Sequence, residues 1–236
     1  MIIYGINPIK EFVKNTPKNI EKLYYTGSRL NDIQSDLKNI HTQKVSQKQL
    51  NEITGNSENQ GIAILIRKPR MFDYNDLKNN IKKMSNMIVM LDHIKDPHNL
   101  GAIVRTGLFF GINSFVIPNR RSASFTVGAV KSSTGHIFQS MIYEVPNLIN
   151  TIKFLKNNDY WIFGADIEGE NLLSDKFNKF KNDKIVLILG SEQNGLSEAM
   201  KKNCDFLLSI RGNKNVNSLN VCVAAGILIN KFKSYD

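Results

Sequence analysis

From Met87 onward, short and almost wholly apolar runs alternate with longer stretches whose apolar residues return every three or four positions. The apolar runs predict buried strands at residues 87–91, 115–117, 160–165, 184–189 and 206–210. The intervening stretches predict helices near 100–110, 147–157 and 196–203. A last helix over 218–232 would carry Leu219, Val223, Ile227 and Leu228 on one face. Strands buried on both faces and alternating with helices predict an α/β fold with a parallel sheet.

The first 70 residues read as a small α/β unit. Asn7 and Pro8 open a helix through about residue 15. Residues 22–26 and 61–66 read as strands, and 46–53 as a short helix. Leu30, Ile33, Leu37 and Ile40 recur at helical spacing. Residues 68–86 mix Pro, Asn, Lys and Asp with only a weak pattern. The expected organisation is a first domain over 1–70, a linker over 71–85 and a second domain over 86–236.

Composition narrows the class. Hydrophobic residues make up 42% and charged residues 22% of 236, as in ordinary globular chains. No apolar run has the length of a membrane span, and the first residues lack the pattern of a signal peptide. Cys204 and Cys222 stand alone, without ligand spacing, which disfavours zinc and a disulfide framework. No metal is expected, and the cytoplasm is the expected compartment. The net charge of +10 favours an anionic partner such as nucleic acid, although a Lys- and Asn-rich genome would produce the same balance. Arginine is more selective: there are seven, and Arg105, Arg120, Arg121 and Arg211 lie in or near polar segments.

Three such segments follow apolar strands. They are Asn99-Leu100-Gly101-Ala102-Ile103-Val104-Arg105, Leu189-Gly190-Ser191-Glu192-Gln193-Asn194-Gly195 and Asn217-Ser218-Leu219-Asn220-Val221-Cys222-Val223-Ala224-Ala225. Polar residues gathered at the carboxyl ends of parallel strands are how open α/β sheets build ligand sites. The dinucleotide GxGxxG, the phosphate-binding GxxxxGK[ST] and the hydrolase GxSxG are all missing. His93 and His98 flank Asp96-Pro97, which reads better as a helix start with Asp96 as N-cap than as a metal site. Arg105 stands in an apolar helix and needs either an ion-pair partner or an open site. Gly190 would allow close approach to the backbone, and Glu192 could accept from a ligand or an Arg. Ser218 is a good N-cap, which leaves Asn220, inside the first turn, without a structural reason.

In this order the three segments resemble the motifs N-x-G/S-A-x-x-R, G-S/N-E-x-x-G and S-L-N-V-S-V-A-A of the SPOUT superfamily, in its SpoU branch of RNA ribose 2′-O-methyltransferases. The resemblance covers about residues 85–233. Residues 1–70 are similar to the L30e-like substrate-binding domain of bacterial 23S rRNA members, with Asn59-Gln60-Gly61-Ile62 near its end. Two departures stand out: Gln193-Asn194 follows Glu192 where Gly is frequent, and the stretch from Gly212 to Val216 is longer than usual.

The resemblance implies a parallel sheet whose C-terminal part forms a deep trefoil knot, S-adenosylmethionine as cofactor, and a homodimer. It implies Arg105, Asn99, Glu192, Ser218 and Asn220 as the catalytic set. Leu189, Gly190, Ser191, Gly195, Ile210, Leu219 and Asn220 would hold the cofactor. Lys10, Lys14, Lys22, Arg29, Arg120, Arg121 and Lys214 would meet RNA, with 23S rRNA the expected substrate. Two alternatives stay open: a tRNA ribose methyltransferase of the same branch, and a non-catalytic RNA-binding protein of ribosome assembly.

Overall fold

The computed structural model describes residues 1–33, 37, 39–120, 122, 126–213 and 218–233. Arg121 and Lys214 lie outside the described residues. The first unit contains β1 (Ile2–Tyr4), α1 (Ile6–Asn15), β2 (Ile20–Tyr25), β3 (Thr42–Lys44), α2 (Gln47–Thr54) and β4 (Ile62–Ile66). Its sheet runs in the order β1-β4-β2-β3, with β4 antiparallel to both its neighbours and β3 parallel to β2. Ser46 caps α2 through a capping box with Gln49. Among the described residues of the segment whose spacing reads as helical, a short 3-10 turn at Arg29–Asp32 ends in extended backbone at Ile33. Ile33 and Ile40 are both buried.

Residues 71–85, expected as a linker, hold β5 (Met71–Phe72) and α3 (Tyr74–Asn80), the latter capped by Asp73. Strand β5 belongs to the second sheet, and Leu77 of α3 packs in the core on one of its faces. That sheet contains β6 (Met87–Leu91), β7 (Ser114–Pro118), β8 (Met141–Val145), β9 (Trp161–Asn171), β10 (Ile185–Leu189) and β11 (Phe206–Ser209). Its order is β11-β9-β10-β6-β7-β8-β5 and every pairing is parallel. The boundary is displaced because Phe72 and Leu77 have apolar partners: Phe72 packs on Tyr143 at 5.5 Å between centroids, and Leu77 is fully buried.

Helices α4 (Pro97–Phe109), α5 (Val127–Ser132), α6 (Leu148–Lys156), α7 (Glu198–Lys201) and α8 (Val221–Phe232) cover the sheet. Val89, Leu91, Leu187 and Leu189 face a core shared with α4, α5 and α8. Ile88, Met90, Val186 and Ile188 face the opposite core, with α3, α6 and α7. The alternation along β6 and β10 is that of strands buried on both faces. The first unit packs directly on the second: Phe12 meets Phe138 edge-on at 6.5 Å, Asn15 donates to the Thr134 carbonyl at 3.4 Å, and the Lys131 ammonium lies 4.0 Å from the Tyr4 ring centroid. Among the described residues, no helix is long and apolar enough to cross a membrane.

Candidate active site

The carboxyl ends of β6 and β10 lie side by side at the centre of the sheet, joined by Asp92 N–H donating to the Leu189 carbonyl at 2.8 Å. Strands β7 and β8 step away on one side and β9 lies on the other, so this is the position where open α/β sheets form a crevice.

After β10 the chain closes a tight loop. Ser191 and Gly195 exchange two backbone hydrogen bonds at 3.1 and 2.9 Å, and Asn194 N–H donates to the Ser191 hydroxyl. Gly195 has φ +61, and a Cβ on Gly190 would lie 2.2 Å from the Gly195 carbonyl carbon. Both glycines are therefore requirements of the loop itself. Glu192 and Gln193-Asn194 are held out, exposed, at its tip.

Helix α4 starts where the sequence predicts, with Asp96 accepting from His98 N–H at 2.8 Å and Pro97 in the first turn. This places Asn99 at the helix entrance. Its Nδ2 donates to Glu192 Oε1 at 2.7 Å. Its Oδ1 lies 3.2 Å from Cys222 Sγ, in the first turn of α8. All three polar segments thus meet at one carboxamide. The close approach of helices depends on small residues: a Cβ at Gly101 would lie 2.2 Å from the Ala129 carbonyl oxygen of α5, and one at Gly226 would touch Thr106.

The start of α8 corrects one expectation. Its N-cap is Asn220, whose side chain accepts from Cys222 N–H at 2.8 Å, and the helix begins at Val221 rather than at Ser218. Asn and Ser cap comparably well, and here the Asn side chain takes the free donor. Asn220 therefore has a structural role at the helix entrance, while Ser218 and Leu219 are exposed before it.

Arg105 is not brought to the Asn99 cluster. Six residues on, it turns about 600° and emerges on another face of α4, exposed, with no hydrogen bond or ion pair to the described residues. Phe109, one turn further on that face, is 82% exposed, and Val223 and Ile227 of α8 are 51% and 39% exposed. Ile210 is half-buried, and Arg211 donates to the Gly169 carbonyl in a bulge of β9. That bulge is held by Asp166, whose hydrogen bond with Lys201 at 2.9 Å pushes the ammonium up to about 12.

Arg120 is exposed just beyond β7. Lys10 and Lys14 are exposed on α1, Lys22 lies over the Tyr24 ring, and Arg29 is paired with Asp32 at 3.1 Å. These four belong to the first unit and none touches the Asn99 cluster. Sequence reasoning missed Cys222 and the pair of Asp92 with His93. Asp92 is buried, and its Oδ1 lies 2.5 Å from His93 Nδ1, with His93 at φ +60. Cys222 was legible only as one more apolar position of the last helix, although it stands two residues after Asn220. Among the described residues no three His, Cys, Asp or Glu side chains group to hold a metal ion.

A parallel sheet with three polar segments joined at its central carboxyl edge is the arrangement of a ligand site in an open α/β fold. A family model described as the SpoU rRNA Methylase family matches residues 86–230, and one described as RNA 2′-O ribose methyltransferase substrate binding matches residues 2–72. A Borreliella burgdorferi protein named as an uncharacterized tRNA/rRNA methyltransferase is 35% identical over 203 residues, 83% of this chain and 88% of its own. A TrmH family tRNA/rRNA methyltransferase of Staphylococcus haemolyticus is 32% identical over 97% of this chain and 93% of its own. Among solved structures, the SpoU methyltransferase AviRb of Streptomyces viridochromogenes, in complex with AdoMet, has the same fold. Its TM-score is 0.72 and its identity 20%, over 98% of this chain and 88% of that one. The chain belongs to the SpoU rRNA methylase family and is an RNA methyltransferase of that kind.

Proposed function

We propose that this protein transfers a methyl group from S-adenosylmethionine to the 2′-hydroxyl of a ribose in RNA, a guanosine of 23S rRNA, and that it does so as a homodimer. The observation that carries the reading is the junction at Asn99, which ties the three polar segments into one site at the sheet's central edge. The substrate-binding family model over residues 2–72, and relatives named tRNA/rRNA methyltransferases, support RNA as substrate. AdoMet complexes of the AviRb protein and of a Sinorhizobium meliloti rRNA methyltransferase support the cofactor. The strand order, with β10 inserted between β6 and β9, supports a threaded chain of the knotted type.

The residues present suit that cofactor. The end of β10 at Leu189, the loop Gly190-Ser191 to Gly195 and half-buried Ile210 offer backbone groups and apolar walls, and exposed Leu219 stands beside the α8 entrance. Space is open around Gly195, where a Cβ would meet no atom within 4 Å. When bound, S-adenosylmethionine supplies a methyl carbon on a sulfonium, open to in-line attack. A ribose hydroxyl is a weak nucleophile until its developing charge is stabilised. A guanidinium is a poor base, because lowering its pKa from about 12 to 7 would cost near 7 kcal/mol. Arg105 therefore acts on the forming alkoxide as a fixed positive charge. Asn99 and Glu192 orient the site, with Asn220 holding the α8 entrance and Ser218 beside it.

The dimer gives the exposed face an occupant. Phe109 on α4 and Val223 and Ile227 on α8 are exposed apolar side chains on two packed helices, and a second copy laid over Phe109 would place Arg105, one turn away on α4, at the seam between subunits. Lys10, Lys14, Lys22, Arg29 and Arg120 are the described cations assigned to RNA phosphate contacts, and Arg121 and Lys214 join them in the reading.

The test pairs calorimetric titration with S-adenosylmethionine and transfer of labelled methyl to purified 23S rRNA and to bulk tRNA. Cofactor binding with label in 23S rRNA is the expected result. Label in tRNA alone would overturn the substrate, and no cofactor binding would overturn the site.

A further inference from the structure

The Asn99 side chain carries two ends of nearly equal size and opposite polarity, and the direction it faces decides what the site offers. One end lies 2.7 Å from Glu192 Oε1, an oxygen that can only accept when ionised, so the NH₂ group belongs there. The carbonyl end then faces Cys222 Sγ at 3.2 Å, with the Asn99 backbone carbonyl 3.6 Å away. Two oxygens confront the sulfur, so the sulfur must donate.

The surroundings keep the proton in place. Cys222 is half-buried between α4 and α8, and its own backbone N–H is taken by the Asn220 side chain. Burial first, then the negative charges of Glu192 and Asp96, push the thiol up to about 11. A thiolate at this position would be an acceptor facing an acceptor, and the amide would be driven to turn round. One turn further along α8, Gly226 packs against Thr106 of α4, so the Cys222 and Asn99 contact sits on the seam that sets the register of the two helices.

We propose that Cys222 is a positioning residue: its S–H bond to Asn99 Oδ1 holds the carboxamide so that its N–H groups aim at Glu192, fixing that carboxylate without touching the substrate. The proposal rests on the methyl-transfer reading of the site and adds to it a residue that acts through Asn99. A merely structural Cys222 would fill space between two helices, and its volume would matter more than its proton. Three substitutions in the full-length protein separate these roles. Cys222→Ser keeps a donor, Cys222→Val keeps the bulk without a donor, and Cys222→Ala loses both.

Steady-state methyl transfer should show Cys222→Val and Cys222→Ala with kcat reduced about three- to tenfold, the scale of one weakly donating neutral hydrogen bond. KM for RNA and calorimetric affinity for S-adenosylmethionine should stay within about twofold, and Cys222→Ser should restore kcat. Full activity in Cys222→Val with impairment in Cys222→Ser would overturn the proposal in favour of packing. A second measurement is independent of activity. The infrared difference spectrum of the wild-type protein minus Cys222→Ser isolates the Cys222 S–H stretch, which should lie below the free-thiol position and return toward it in Asn99→Leu. A free-thiol frequency in the wild type would overturn the hydrogen bond. An inactive wild type would overturn the methyl-transfer reading, while the band would still decide the bond.

Discussion

Replacing Asn99 by Asp alters the junction by little more than one atom and reverses its polarity. The Nδ2 donor that lies 2.7 Å from Glu192 Oε1 becomes a second carboxylate oxygen. At that separation two unit charges repel by about 1.5 kcal/mol in water-like surroundings and by about 6 kcal/mol at an effective dielectric of 20. Glu192 is exposed, so the smaller figure governs. Loss of the charge-assisted hydrogen bond adds about 1.5 kcal/mol at the low end of its range, because the pair is solvated. The expected destabilisation of Asn99→Asp is therefore about 2–3 kcal/mol near pH 8. The sign with pH follows from linkage. Two adjacent carboxylates raise the proton affinity of the pair in the folded state above its unfolded value, so the folded variant binds more protons in that window and its stability falls as pH rises through it. The penalty should shrink as pH is lowered through the carboxylate range, about 6 to 4, where one proton is shared. Urea unfolding of wild type and variant at matched protein concentration across this range measures the difference directly. A difference below about 0.5 kcal/mol at neutral pH, or one independent of pH, would refute the contact between Asn99 and Glu192.

Arg105→Ala should lower methyl transfer by about 10²–10³-fold with calorimetric cofactor affinity unchanged, as for removal of a preorganised charge-stabilising donor. Near-full turnover would remove Arg105 from the centre of the chemistry. Gly101→Ala should destabilise the protein by about 3 kcal/mol or more in the same urea assay, because its Cβ would lie 2.2 Å from the Ala129 carbonyl oxygen and backbone would have to move. A chain truncated to residues 86–236 should be less stable than one of residues 71–236, by about 3 kcal/mol, since it uncovers the Tyr143 face that Phe72 and Leu77 bury. Equal melting temperatures would show that β5 and α3 do not stabilise the sheet.

The alternation that predicts strands near 87–91 and 184–189 survives in the structure because both are buried on two faces at the sheet centre. Strand β8 carries the exposed Glu144 between Tyr143 and Val145, which breaks its apolar run and conceals it. Helix α5, six residues with Gly128 inside it, is too short to show a period. Leu30 and Ile33 mislead for another reason: a 3-10 turn followed by extended backbone buries Ile33 at the same three-residue spacing as a helix. At the site, Asn99, Glu192 and Asn220 are legible because each is a polar residue in a short segment that follows an apolar strand, although Glu192 and Asn220 are exposed and Asn99 is half-buried. That Asn220 is the cap depends on which of two equally suitable side chains meets the free N–H. The meeting of Cys222 with Asn99 joins residues 123 apart in sequence, and it is set by how α8 crosses α4.

Transfer to a ribose oxygen, rather than to a base, is read from the identity of the methylated nucleoside. Purified 23S rRNA lacking native methylation would be incubated with the protein and labelled S-adenosylmethionine, digested to nucleosides and separated by mass. Label is expected in 2′-O-methylguanosine with the methyl on the ribose fragment, and should be lost with Arg105→Ala. Label on a base fragment, or none in the presence of bound cofactor, would contradict it.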